Sequence, residues 1–155
     1  MKDYDPKEFK VVALRDCPVP ESMKICEQPQ QIADYWHLHV ATHPWFTPDR
    51  ECLVMLLLNT RKRVLGHHLV GIGTIDSVLI DPRILFRCAL IAGASAIALA
   101  HNHPSGIAIP SDADIVVTRD IVRAGQLLKI EVVDHVVIGA PPAFCSLRAQ
   151  GYCYT

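Results

Sequence analysis

The sequence predicts an α/β fold, a single domain built on a mixed β-sheet flanked by helices. Three observations carry this. The short apolar runs at Glu51–Leu58 and Ala96–Ala100 have the length of buried strands and fall short of helices, and Glu131–Ile138 reads as a further strand. Between them lie longer segments with helix-start signals, and that alternation is the pattern of a sheet with helices on its faces. The length, 155 residues, half of them hydrophobic and a fifth charged, fits one ordinary globular core with no second domain.

Phe9–Leu14 reads as a first strand, with Val11 and Val12 β-branched. Asp16–Gln30 carries Pro18, Pro20 and Pro29 and is expected to be an irregular connector. Gln30–Thr42 reads as a helix, with Ile32, Trp36, His39 and Val40 at helical spacing and Pro44 and Pro48 ending it. Glu51–Leu58 is a strand, Asn59–Arg63 turns the chain, and Val64–Val70 returns to complete a hairpin. Gly71-Ile72-Gly73 follows, and Thr74–Leu79 reads as another short strand.

Asp81 stands as an N-cap with Pro82 at the first helical position; that helix runs to about Ala92, with Gly93 as its stop. Its apolar residues go nearly all the way round, and only Arg83 and Arg87 mark a polar stripe, so it is expected to be largely buried. The strand Ala96–Ala100 comes next. Ser111–Leu128 is the second long helix, with Ile115, Val116, Ile121 and Val122 facing the core and Arg119, Asp120 and Arg123 outside. Glu131–Ile138 is a strand, Gly139-Ala140-Pro141-Pro142 a turn, and Ala143–Thr155 adds one short element and a tail. On this reading residues 1–45 supply a strand, a connector and a helix that pack on a main domain at 46–155.

Several function classes are disfavoured. Net charge is −1, with 15 basic against 16 acidic residues, so no basic excess is available to hold a phosphate backbone. Arg61-Lys62-Arg63 reads as a solvated hairpin tip, as does His67-His68 near it. Gly71-x-Gly73 lacks the third glycine of a dinucleotide fingerprint, since Asp76 stands there. Arg87, Gly93 and Ser95 interrupt the longest apolar stretch, Ile84–Ala100, so it does not span a bilayer. The six cysteines form no Cys-x-x-Cys; Cys52 and Cys88 read as core residues, and nothing demands a Cys145–Cys153 pair. Met1–Lys10 is polar and charged, unlike a secretory signal, and reduced thiols in the cytoplasm are the expectation.

The chemistry is concentrated at His101-Asn102-His103-Pro104-Ser105-Gly106 and the Pro110-Ser111-Asp112-Ala113-Asp114 that follows. Residues two apart on a strand share a face, so His101 and His103 look the same way. Pro104 and Gly106 turn the chain, and Ser111 with Asp114 opens a helix that returns over that face. Two imidazoles and a carboxylate then converge as a three-ligand zinc site with its fourth position open. Singly, each residue has a plainer reading: a hydrogen-bonded histidine, or a Ser-x-x-Asp close to a capping box. Together they form a pattern hard to reach by chance. His37, His39 and His43 do not, because no carboxylate accompanies them.

His-x-His, seven residues, Ser, two residues, Asp resembles the signature of the JAMM (JAB/MPN) metalloproteases, and His-Asn-His-Pro-Ser-Gly resembles its RadC-type branch. The resemblance extends from about Phe9 to the C-terminus, through Leu57-Leu58-Asn59-Thr60, Val70-Gly71-Ile72-Gly73-Thr74, Pro82-Arg83 and Asp134-His135-Val136-Val137. It implies a cytidine-deaminase-like sandwich and a zinc-dependent peptidase or isopeptidase. His101, His103 and Asp114 are then the metal ligands, Glu51 the acid/base and Ser111 an oxyanion donor. Asn102 and Ser105 shape the loop or support the ligands, and Asp134-His135 lies outside the ligand pattern. One departure stands out: Ile107 occupies a position where the family usually has a polar residue, often Asp, which makes the loop rim more apolar. The expected partner is an unknown protein or peptide substrate; oligomeric state is not legible.

Two other classes compete: a non-catalytic MPN-like scaffold, against which the complete ligand set and Glu51 speak, and a DNA repair or recombination accessory, which the charge balance does not support. A zinc deaminase requires His-x-Glu and Pro-Cys-x-x-Cys, and both are missing.

Overall fold

The computed structural model describes residues 5–73 and 80–154, so the strand expected at 74–79 lies outside the described residues. The apolar run after Glu51 forms β1 (Cys52–Leu58), every residue of which is buried, as befits an interior strand. Asn59 Oδ1 accepts the Arg61 and Arg63 N–H groups at 2.9 and 3.0 Å, which closes the hairpin into β2 (Val64–Ile72). β3 (Ala96–Asn102), α3 (Asp112–Leu128) and β4 (Glu131–Ile138) follow as a strand–helix–strand unit, the connection that a parallel pair needs. The short β5 (Phe144–Ser146) completes a five-stranded sheet in the order β2-β1-β3-β4-β5, parallel at β3–β4 and antiparallel elsewhere. The expected mixed sheet flanked by helices is therefore present.

Both faces of the sheet are covered. On one, α1 (Pro29–Tyr35) and the π-helical turn Trp36–Val40 set Ile32, Tyr35, Trp36 and Val40 against Val54, Leu56, Ala98, Ala100 and Val136. On the other, α2 (Pro82–Ile91) and α3 set Leu85, Phe86, Ile121 and Val122 against Leu53, Met55, Leu99 and Val137. Each large apolar side chain so removed from water contributes ~1.5–3 kcal/mol. The β3–β4 register slips once: Ile97 pairs with Val132 but Ala98 pairs with Asp134. Val133 is thus the extra residue of a bulge. Past it, His135 and Val137 align with Leu99 and His101, on the α3 face.

Several expectations are corrected. Phe9–Leu14 forms no strand; Phe9 is 87 % and Leu14 96 % exposed, because β-branched residues make a strand only where a ladder receives them. The helix expected over 30–42 is α-helical only through Tyr35 and then widens, with Ala41 N–H bonding the Trp36 carbonyl. The segment α2 is not largely buried: Leu85, Phe86 and Ala89 face the sheet while Ile84, Leu90 and Ile91 are more than half exposed. A helix touching the sheet along one stripe cannot bury an apolar surface that runs all round it. His67 is not plain hairpin surface, since the Tyr35 hydroxyl lies 2.7 Å from its Nδ1.

The buried stripe of α3 runs Asp114, Thr118, Ile121, Val122 and Gly125; Val116, expected to face the core, falls off that stripe and is exposed. Lys129, in the left-handed conformation at φ 58°, ends this helix. All six cysteines are free thiols. Among the described residues no helix is long and apolar enough to cross a membrane.

Candidate metal centre

β3 carries His101 to the end of the sheet, where it sits between Leu53 of β1 and Val137 of β4 and is fully buried. Beyond Asn102 the chain turns at Gly106 (φ 78°), whose carbonyl accepts the Ala140 N–H at 2.8 Å and anchors the loop to the end of β4. Ser111 then caps α3. Its Oγ accepts the Asp114 N–H at 3.1 Å, and the Asp114 carboxylate accepts the Ser111 N–H at 2.8 Å. The capping reading is therefore true, and it does not compete with the functional one: the cap is what aims Asp114.

Asp114 Oδ1 lies 3.2 Å from His101 Nε2, and Oδ2 lies 3.1 Å from His103 Nε2. The two Nε2 atoms are 3.1 Å apart, and Glu51 Oε1 is 3.5 Å from that of His101. One ligand atom from each of Glu51, His101, His103 and Asp114 falls within 4.8 Å of all the others. Among the described residues His37, His39 and His43 form no such group; His39 Nε2 instead meets the Pro18 carbonyl at 2.7 Å.

The donor set fits a divalent metal. His103 Nδ1 donates to the Ile107 carbonyl at 3.0 Å, so its Nε2 presents a lone pair to the cluster. Acceptors facing one another at 3.1–3.5 Å repel unless a cation stands between them. Tetrahedral zinc with bonds of ~2.0–2.1 Å sets its ligand atoms roughly 3.3 Å apart, close to the individual Asp114–His101, Asp114–His103 and His101–His103 contacts.

Glu51 is placed by Asn102. In the β1–β3 register Asn102 falls opposite Cys52, one rung beyond the last pair, Leu53 with His101. Its side chain supplies that rung: Oδ1 accepts the Cys52 N–H at 2.9 Å, and Nδ2 donates to the Arg50 carbonyl at 3.0 Å. The residues on either side of Glu51 are thus pinned to the strand that carries His101. Ser105 shapes the loop, its Oγ accepting the Ile107 N–H at 3.2 Å.

The sequence profile of the RadC-like JAB domain matches residues 26–152. The chain belongs to that family. All five candidate residues, Glu51, His101, His103, Ser111 and Asp114, lie inside the RadC-like JAB match. Two bacterial relatives are both called "UPF0758 protein". The one from Desulforamulus reducens is 44% identical over 103 residues, covering 66% of this chain and 45% of the relative. The one from Moorella thermoacetica is 50% identical over 102 residues, covering 66% of this chain and 44% of the relative. The matched region spans less than half the length of these relatives.

A layer behind the ligands was only partly legible. His135 Nε2 lies 2.7 Å from His101 Nδ1, and its Nδ1 lies 2.6 Å from Thr118 Oγ1. Complete burial, with His101 alongside, pushes the His135 imidazole well below its ordinary pKa. Asp134 takes no part in the cluster; it ties β4 to the C-terminal segment through Ser146 Oγ at 2.6 Å and Arg148 N–H at 3.0 Å. Thr118 was missed altogether. The available signal was its place four residues after Asp114, on the same helix face.

Proposed function

We propose that this RadC-like JAB domain is a zinc-dependent hydrolase of peptide or isopeptide bonds. The observation that supports it is the convergence of Glu51, His101, His103 and Asp114, in a superfamily that includes metallohydrolases. His101, His103 and Asp114 would hold the metal. Zinc bound there supplies a Lewis acid and a water whose pKa falls toward neutrality.

The chain's own groups do the rest. Glu51, with its side chain 11 % exposed, and His103, 17 % exposed, mark the side open to solvent; His101 and Asp114 close the opposite side. Glu51 takes a proton on that open side and returns it to the leaving amine. Ser111 Oγ accepts from the Asp114 N–H, which leaves the hydroxyl proton to donate to a developing oxyanion, a contact worth ~2.7–4 kcal/mol. Ile107 and Ile109, both more than half exposed, give the rim an apolar lip that favours apolar side chains in the substrate.

The test is metal content with hydrolysis. The purified chain should carry about one zinc. The His101→Ala/Asp114→Ala double variant should lose it, while Glu51→Gln should keep the metal and lose cleavage of isopeptide-linked and peptide libraries. Full zinc retention in the double variant refutes the site. Metal without cleavage across the libraries favours the scaffold or DNA-accessory reading, which retention on a heparin column at low salt would then separate.

A further inference from the structure

We propose that Thr118 and His135 are positioning residues that hold the proton of His101 on Nδ1 and so keep its Nε2 open to a metal. The consequence for metal binding rests on the reading of the cluster as a metal centre; the placement of the proton does not.

Each proton in the chain of contacts is set by the one before it. The Asp114 backbone carbonyl can only accept, and Thr118 Oγ1 lies 2.6 Å from it, so it takes the one hydroxyl proton of Thr118. Thr118 Oγ1 also lies 2.6 Å from His135 Nδ1. Having given its proton away, the hydroxyl can only accept there, and His135 is protonated on Nδ1. The His135 ring is 0% exposed and, among the described residues, meets His101 at one nitrogen and Thr118 at the other rather than a carboxylate, so it stays neutral and its Nε2 bears a lone pair. That lone pair faces His101 Nδ1 at 2.7 Å, and His101 Nδ1 must donate to it. The remaining nitrogen of a neutral His101 is then a bare Nε2, the atom that faces Asp114, His103 and Glu51.

A threonine bonding back to the carbonyl four residues earlier is ordinary in helices. Here that carbonyl belongs to Asp114, and the contact is relayed through His135 to the nitrogen opposite the cluster. Asp114 thus offers its carboxylate to the cluster and, through its backbone, fixes the tautomer of the histidine beside it. His103 reaches the same state by another route, its Nδ1–H given to the Ile107 carbonyl. Groups that orient a ligating imidazole in this way typically change metal affinity ~10–100-fold when altered.

Two measurements test this. Ring-nitrogen NMR of the metal-free protein at alkaline pH should show His101 and His135 each protonated on Nδ1; His101 protonated on Nε2 overturns the proposal. Zinc affinity by chelator competition should then separate two near-isosteric variants. Thr118→Val removes the acceptor, which lets His135 move its proton to Nε2 and drive that of His101 into the metal position; it should bind ~10–100-fold more weakly. Thr118→Ser keeps the hydroxyl and should bind like the wild type. Equal affinity in Thr118→Val overturns the proposal, and so does a Thr118→Ser as weak as Thr118→Val, which would assign the effect to packing. If the wild type binds no zinc, the proposed function falls, and the ring-nitrogen result alone decides where the proton sits.

Discussion

Replacing Asn102 by alanine should lower both stability and hydrolysis while leaving the metal in place. The residue is 6% exposed, and its side chain serves the Cys52 N–H and the Arg50 carbonyl together. Without it the buried Cys52 N–H loses its partner, at a cost of ~1–3 kcal/mol, while the Arg50 carbonyl, on an exposed residue, recovers part of its loss from water. A total of ~2–3 kcal/mol corresponds to a melting temperature lower by roughly 4–12 °C for a chain of this size. Glu51 keeps the Gly73 N–H on its carbonyl, 2.8 Å away at the end of β2, but loses the Asn102 bridge that pins its two neighbours to β3. A displacement of ~1 Å at such a group costs about 10²-fold in rate. Calorimetry, metal analysis and kcat/KM on one preparation read the three effects. Asn102→Asp, which keeps the acceptor for Cys52 but sets a carboxylate against the Arg50 carbonyl, should fall between wild type and Asn102→Ala. An Asn102→Ala protein with the wild-type melting temperature and the wild-type kcat/KM would refute the reasoning.

Three further outcomes are expected. Burial first, and then the charge of Arg15 and neighbouring histidines, lowers His67 to about 4 from 6.5. It is neutral when folded and takes up a proton on unfolding, so its contribution is complete above pH 6.5 and is lost as pH falls toward 4. Discounted for the ring's partial exposure this is ~1–2 kcal/mol; urea titrations at either end of that window should show the slope reduced in His67→Phe, and an unchanged slope removes His67 as its source. Gly125→Ala would set a Cβ 2.5 Å from the Ile130 carbonyl and 3.3 Å from Val132. It should lose ~1–3 kcal/mol despite the better helix former, and a raised melting temperature would show that the turn into β4 yields. Gly139→Ala would set a Cβ 2.6 Å from the Gly106 carbonyl and 3.0 Å from Ala108 N, displacing the segment whose Ile107 carbonyl orients His103. Chelator competition should find zinc held ~10-fold more weakly, and equal affinity would mean the loop absorbs the methyl.

What could be read from the chain were the signals that act over a few residues. Pro82 after Asp81, Ser111 before Asp114 and the β-branched segment from Val132 to Ile138, broken only by Asp134 and His135, fix helix starts and a strand locally, and the structure has all of them. Four of the residues that converge were legible for the same reason: His101, His103, Ser111 and Asp114 come from one strand, one loop and one helix turn adjacent in sequence. The illegible part depends on register. Nothing in Phe9–Leu14 says that no ladder will receive it, and nothing in α2 says which third of an apolar cylinder will meet the sheet. That Asn102 supplies a rung for Cys52 follows only once β1 and β3 are aligned. That His135 reaches His101 follows only once β4 is known to skip a residue.

The skipped residue has a consequence for transplantation. Val133 shifts the phase of β4 by one, and that shift alone brings an imidazole, in place of the Asp134 carboxylate, to the Leu99 rung behind His101. Grafting His-x-His with its downstream Ser-x-x-Asp onto a regular scaffold would carry over the ligands and leave this offset behind. Such a chimera would own the metal's front and lack its back.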